Sequence, residues 1–147
     1  KKAYVYPLNN KKSEIINKII LYWIKEVKEP IKKIQCDAGS EFINNNFKEI
    51  LKKNNIELII FNKANSPNAM SIIERYNRTI RTKIDDYIIA NKTKRYIDVL
   101  QDLVDNYNNT VHRSIKMKPD DVDIKQEQQL INDKMEKKID IIHEINE

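Results

Sequence analysis

Apolar and polar residues alternate in two different periods along this chain, and the changes of period mark out its elements. Residues 3–8, "AYVYPL", are β-branched and aromatic and close on a proline, which predicts a strand. Ser13 then offers an N-cap for "EIINKIILYWIKEV", where Ile15, Ile19, Leu21, Tyr22 and Ile24 suit a helix lying on a sheet, and Pro30 ends that helix. "IKKIQC", residues 31–36, predicts a second strand with Asp37 at its carboxyl end. A helix follows over "FKEILKKNN", with Phe47, Ile50 and Leu51 on one face, and then an apolar strand, "IELIIF". Strand, helix, strand, helix, strand is the order of an α/β layer with parallel strands, in which sites collect beyond the carboxyl ends of the strands.

The second half is helical. "NKANSPNAM", residues 62–70, is small, polar and proline-containing, and predicts a loop. From Ser71 to about Ala90 the stripe Ile72, Ile73, Tyr76, Ile80, Ile84, Tyr87 and Ile88 predicts a long helix, and residues 96–111 another, carrying Ile97, Leu100, Leu103, Val104 and Tyr107. An extended segment, "HRSIKMKPDDV", leads to a last amphipathic helix over residues 124–147 with Ile131, Met135, Ile139, Ile142 and Ile145 on a narrow stripe. That helix could pack back on the domain or pair with another copy.

Composition narrows this picture little. The 147 residues hold 27 Lys plus Arg against 22 Asp plus Glu, a net charge of +5, which is compatible with a polyanionic partner without requiring one. One cysteine, Cys36, excludes an internal disulfide and any Cys/His zinc spacing. No apolar run is long enough to cross a bilayer, so a membrane role is not expected. The Lys, Asn and Ile bias fits AT-rich coding.

The candidate chemistry lies in two places. Asp37 stands before the only glycine, Gly39, where an acid can be a metal ligand or the start of a turn. Glu74, Arg78 and Arg81 fall at i, i+4 and i+7, so one helix face carries a carboxylate and two guanidiniums. A carboxylate beside a basic ridge suits a hard divalent ion with a phosphodiester over it. The same spacing also decorates solvated helices.

Taken together, "DAGSEF", the loop with Pro67, "IIERYNRTIR" and "YNNTVHRSIKMKP" resemble the catalytic core of retroviral-type integrases, DDE recombinases with an RNase H-like fold. The last segment is most similar to integrases of Polinton/Maverick DNA transposons and virophages. The 36 residues between Asp37 and Glu74 exceed the family's usual spacing by one. The resemblance covers residues 3–122 and implies an RNase H-like mixed sheet flanked by helices, with residues 123–147 a C-terminal helical extension.

It implies that Asp37 and Glu74 are the second and third catalytic carboxylates and hold Mg2+ or Mn2+ in a two-metal site. It further implies that Ser40, Asn77, Arg78 and Arg81 lie at DNA, and that Asn108, His112 and Pro119 are structural. Ala38 and Met70 depart from the polar residues common in the family. The implied activity is 3′-end processing and strand transfer of element DNA into target DNA, with DNA and further copies of the chain as partners, in a host nucleus or viral factory. The family's first Asp has no counterpart before Asp37, where the acids are Glu14, Glu26 and Glu29. The chain is therefore expected to lack the first strands and to be inactive alone. The alternative is a non-catalytic RNase H-like module for DNA binding or self-association.

Overall fold

The computed structural model describes residues 2–61 and 70–146, and their side chains through residue 137. Pro67 and the 62–69 loop lie outside the described residues. The chain divides into two compact units, Tyr6–Asn91 and Lys1–Val5 with Lys92–Glu147.

In the first unit the predicted alternation is present from the first helix onward. Helix α1 is Ser13–Glu26, strand β1 Lys33–Asp37, helix α2 Asn45–Lys53, strand β2 Glu57–Phe61 and helix α3 Ser71–Asn91. The two strands pair in parallel, with Lys33 opposite Glu57 and Asp37 opposite Phe61. Phe47, Leu51 and Ile56 form the buried centre, and Ile16, Ile20, Ile24, Ile31, Ile34, Phe42 and Leu58 pack around it.

The face of α1 differs from expectation. Its packed stripe is Ile16, Ile20 and Ile24, spaced by four, whereas Leu21 and Tyr22 are exposed. One step along a helix rotates a side chain by about 100°, so Leu21 and Tyr22 cannot join that stripe. Tyr22 instead meets Tyr6 edge to face, with centroids 5.8 Å apart, and Tyr6 donates its hydroxyl hydrogen bond to Glu26. The predicted cap also shifts by one residue: Lys12 is the N-cap, without a side-chain bond, and Ser13 is already helical. On α3 the covered positions are Tyr76, Ile80, Ile84, Tyr87 and Ile88, while Ile72 and Ile73 in its first turn are exposed.

Helix α2 is held at both ends by asparagine. At its start the Asn44 Oδ1 accepts from the Phe47 N–H at 2.8 Å, an N-cap bond. At its end Asn55 adopts a left-handed φ of 56°. The Ile56 N–H reaches the Leu51 carbonyl at 2.9 Å and the Asn55 N–H the Lys52 carbonyl at 3.1 Å. This is a Schellman closure, in which asparagine takes the place usual for glycine. Its apolar pair, Leu51 and Ile56, belongs to the core centre, so the turn that ends α2 also aims β2.

Residues 3–8 do not form the predicted strand. A strand needs a ladder partner for its backbone groups. In the second unit the Asn108 side chain takes that part at Ala3: its Oδ1 accepts from the Ala3 N–H and its Nδ2 donates to the Ala3 carbonyl, both at 2.8 Å. Asn108 is buried and ends helix α4, Leu100–Asn108, which a 3-10 turn at Ile97–Val99 precedes. A tight loop follows, closed by a bridge between His112 and Met117, with Lys116 left-handed at φ 54°.

Lys2 pairs with Asp120 at 2.8 Å, and this contact raises the lysine pKa. Helix α5, Ile124–Asn146, begins on a reciprocal capping box. The Asp123 Oδ1 accepts from the Gln126 N–H at 2.7 Å, and the Asp123 N–H donates to Gln126 Oε1 at 2.8 Å. Ile124, Ile131 and Met135 of α5 are exposed.

Candidate active site

Asp37 is the last residue of β1, and its side chain is exposed. The core builds the turn beyond it. The Gly39 carbonyl accepts from the Phe42 and Ile43 N–H groups at 3.0 and 3.2 Å, one helix-like turn. Phe42 then packs edge to face on Phe47 at 5.7 Å, which anchors the turn in the core. Asn44 donates from Nδ2 to the Glu41 carbonyl at 2.8 Å. "DAGSEF" is thus a pinned turn with its acid and Ser40 both exposed.

No unusual backbone angle requires glycine there, since its φ is not positive, and the space beside it is taken by the movable end of the Glu41 side chain. A Cβ on Gly39 would come within 2.7 Å of Glu41 Oε2. The carboxylate that folds over the turn belongs to Glu41, a residue the sequence did not single out; only the i+2 relation to glycine in "GSE" hints at it. Burial pushes the Cys36 thiol pKa up, and the nearby charges of Asp37 and Glu41 push it further. The strand end is therefore an electronegative spot with a buried neutral thiol beneath it.

Glu74 lies in the first turn of α3, its N–H bonded to the Met70 carbonyl at 3.0 Å. Negative charge there is favoured by the helix dipole. Asn77, Arg78 and Arg81 follow on the same helix, and all four side chains are exposed. Among the described residues the ion pairs are Lys2–Asp120, Lys33–Glu57 and Arg95–Asp98. Glu74 pairs with neither arginine, so the decorative i, i+4 salt bridge is not formed, and neither guanidinium enters an ion pair among the described residues.

His112 is local structure, as expected: its Nε2 lies 3.0 Å from the Tyr107 carbonyl, and its ring stands edge to face on Tyr107 at 4.4 Å. Pro119 is buried at the start of a 3-10 turn, Pro119–Asp121.

The donor chemistry of Asp37 and Glu74 suits a hard divalent ion, which takes oxygen ligands. Their number is short of a complete site. Among the described residues no group of three or more His, Cys, Asp or Glu side chains could hold a metal ion. No helix among them is long and apolar enough to cross a membrane.

Comparison with solved structures gives the architecture its name. A chain of the simian T-cell lymphotropic virus intasome, solved with the PP2A regulatory subunit B56 gamma, superposes with a TM-score of 0.67 at 18% identity, over 76% of this chain and 40% of that one. The fold is that of a retroviral integrase catalytic core. The HTLV-2 integrase catalytic core domain in complex with magnesium matches the same fold in its trimeric form, at a TM-score of 0.59 and 16% identity over 74% of this chain and 68% of that one. The dimeric form gives 0.57 and 17% over 71% and 65%.

In sequence, the chain is 35% identical over 123 residues to a transposon-derived protein of Caenorhabditis elegans, covering 84% of this chain and 42% of the relative. The chain thus spans less than half the length of that relative. No family model matches. In the integrase-core fold, Asp37 and Glu74 occupy a strand end and a helix start that the chain order joins through residues 62–69.

Proposed function

We propose that this chain is part of an integrase or transposase, a DNA polynucleotidyl transferase, and that it supplies the second and third carboxylates of the active site. The observation that carries this reading is Asp37, exposed at the carboxyl end of a parallel strand in an integrase-core fold. The transposon-derived relative and the run of Glu74, Arg78 and Arg81 on α3, the arginines in no ion pair among the described residues, support it. Residues 1–122 are assigned to the core and residues 123–147 to a helical extension.

Asp37 and Glu74 would hold Mg2+ or Mn2+, as the magnesium complex of the HTLV-2 core suggests. The metal would supply activation of the attacking oxygen and charge neutralisation at the leaving oxygen. The chain's own residues do the rest. Arg78 and Arg81 grip phosphate oxygens of the element end, Asn77 donates to the same strand, and Ser40 meets DNA from the strand-end turn. The reactions would be trimming of element 3′ ends and strand transfer into target DNA, carried out by an assembly of several copies. The oligomeric integrase neighbours support that assembly. The resemblance of the segment "YNNTVHRSIKMKPDDV" supports an element of the Polinton/Maverick and virophage group, whose site of action would be a host nucleus or viral factory.

With two carboxylates in hand, the 147-residue chain alone is proposed to be inactive or nearly so, and to bind DNA. Strand transfer with Mg2+ or Mn2+ that disappears in Glu74→Gln would overturn the inactivity. The DNA grip is tested by salt titration: removing two phosphate contacts in the Arg78→Ala, Arg81→Ala variant lowers the slope of log K against log salt by about 1.8. An unchanged slope rejects the assignment of the arginines. A purely DNA-binding module, favoured by the absence of a three-carboxylate cluster among the described residues, would bind equally well as Asp37→Asn in the full-length protein and show no chemistry in either form.

A further inference from the structure

Helix α5 carries its apolar stripe outward. Ile124, Ile131 and Met135 stand 62%, 42% and 61% exposed, and steps of seven and four at about 100° per residue set them within about 40° of one another. The half-buried positions of the same helix, Gln126, Leu130 and Asp133, lie on the opposite side. Gln128 falls beside the stripe, and its Nε2 donates to Asn132 Oδ1 in the next turn at 3.1 Å. Positions 124, 128, 131 and 135 thus read Ile, Gln, Ile, Met at the d, a, d, a spacing of a helix-pairing seam.

The charges beside this seam say what pairs with it. Glu127 and Lys134 border it on one side, one heptad apart at g positions, and neither enters an ion pair among the described residues. Consider two copies of α5 set antiparallel about a two-fold axis between residues 129 and 130. Ile124 then faces Met135, Gln128 faces Ile131, and each Glu127 lies beside the Lys134 of the other copy. A surface that fits its own image is what an isologous contact requires. Other arrangements lose the match. Sliding the copies by one heptad sets Lys134 against Lys134, and a parallel pair sets Glu127 beside Asn132.

We propose that α5 pairs antiparallel with α5 of a second copy through residues 124–135, with reciprocal Glu127–Lys134 ion pairs. The inference deepens the assembly of copies in the proposed function and rests on that reading. The overlap is under two heptads, about 18 Å long, so it contributes to an assembly and does not hold a tight dimer by itself.

The test is disulfide trapping at about 1 mM chain, where a weak contact is populated. Cys36 is buried, so the unaltered chain serves as the blank. Ile124→Cys and Met135→Cys proteins should crosslink when mixed and not when each is oxidised alone, because like positions lie about 16 Å apart along the axis. The pair Gln126→Cys and Asp133→Cys, in the same register on the opposite face, should give little product. Lys134→Glu in both proteins turns two attractions into repulsions and should lower the yield about fivefold, and adding Glu127→Lys should restore it. Crosslinking of either single-cysteine protein alone, a yield no higher than that of the opposite-face pair, or indifference to the charge reversals would each overturn the proposal. None of these changes touches Arg78 or Arg81, so the salt slope of DNA binding reports on the integrase reading separately.

Discussion

Asn44 is the side chain on which the architecture around Asp37 turns, and its removal has a calculable effect. It caps α2 at the Phe47 N–H, holds the Glu41 carbonyl of the strand-end turn, and receives the Asn17 amide. In Asn44→Ala the lost cap costs about 1 kcal/mol, and the freed Glu41 carbonyl about 1 kcal/mol. Stranding the buried Asn17 Nδ2 costs about 1 kcal/mol more, the low end of the range because that bond is long. The sum is about 3 kcal/mol. Asn44→Ser keeps a capping oxygen and should cost about 1–2 kcal/mol. Asn44→Asp keeps the cap, gains about 0.5 kcal/mol from a negative charge at the helix start, and loses only the donor to Glu41.

The predicted order of destabilisation is therefore Ala, then Ser, then Asp. Urea unfolding followed by fluorescence of Trp23, the chain's one tryptophan, reports on this unit because Trp23 lies in α1. With a slope of about 1–3 kcal/mol per molar urea, the alanine midpoint should fall by about 1–3 M. A loss below about 1 kcal/mol, or an aspartate variant as unstable as the alanine one, would refute the three-bond account.

Three further outcomes follow from the same geometry. Phe47→Ala, at the fully buried centre beneath the turn, should cost about 3–5 kcal/mol, read by the same fluorescence transition. Asn108→Leu removes two hydrogen bonds from Ala3, about 1 kcal/mol each, so hydrogen exchange at the Ala3 amide should quicken roughly 30-fold. The raised Cys36 pKa means that the folded state holds its thiol proton longer than the unfolded chain does, so stability is intact below the ordinary value of 9.0 and falls as pH rises above it. Cys36→Ser should flatten that alkaline limb in a pH series of urea midpoints.

The order of elements from α1 to α5 was legible because each is long enough to show its period, and the boundaries of α3 and β2 fall within a residue of the pattern. Two local readings failed for a physical reason. Residues 3–8 have strand chemistry, but a strand is a relation between two backbones, and the partner at Ala3 is the side chain of Asn108, more than a hundred positions away. The packed face of α1 was ambiguous because nearly every position between Ile15 and Ile24 is apolar; what selects Ile16, Ile20 and Ile24 is the core they meet. Asp37 and Glu74 were legible as acids at a strand end and a helix start. Glu41 was not, since its place over the turn depends on the geometry of the neighbouring Gly39.

The abundance of asparagine, read from composition as a coding bias, acquires structural meaning at particular positions. Asn55 takes the left-handed place where glycine is usual, in a chain with a single glycine. Asn44 caps a helix where serine or aspartate would serve, and uses its second amide atom to hold the turn behind Asp37. Asn108 satisfies both backbone groups of Ala3, as an adjoining strand would. At Asn44 and Asn108 the amide serves because it carries a donor and an acceptor without charge, and Asn44 can hold the Glu41 backbone without adding to the negative field of the strand end. A carboxylate at position 44 or 108 would lose the donor, and at position 44 it would bring a third negative charge to the strand end. Asp37, Glu74, Arg78 and Arg81, the residues proposed to meet a divalent ion and a phosphodiester, all stand at exposed positions of this unit.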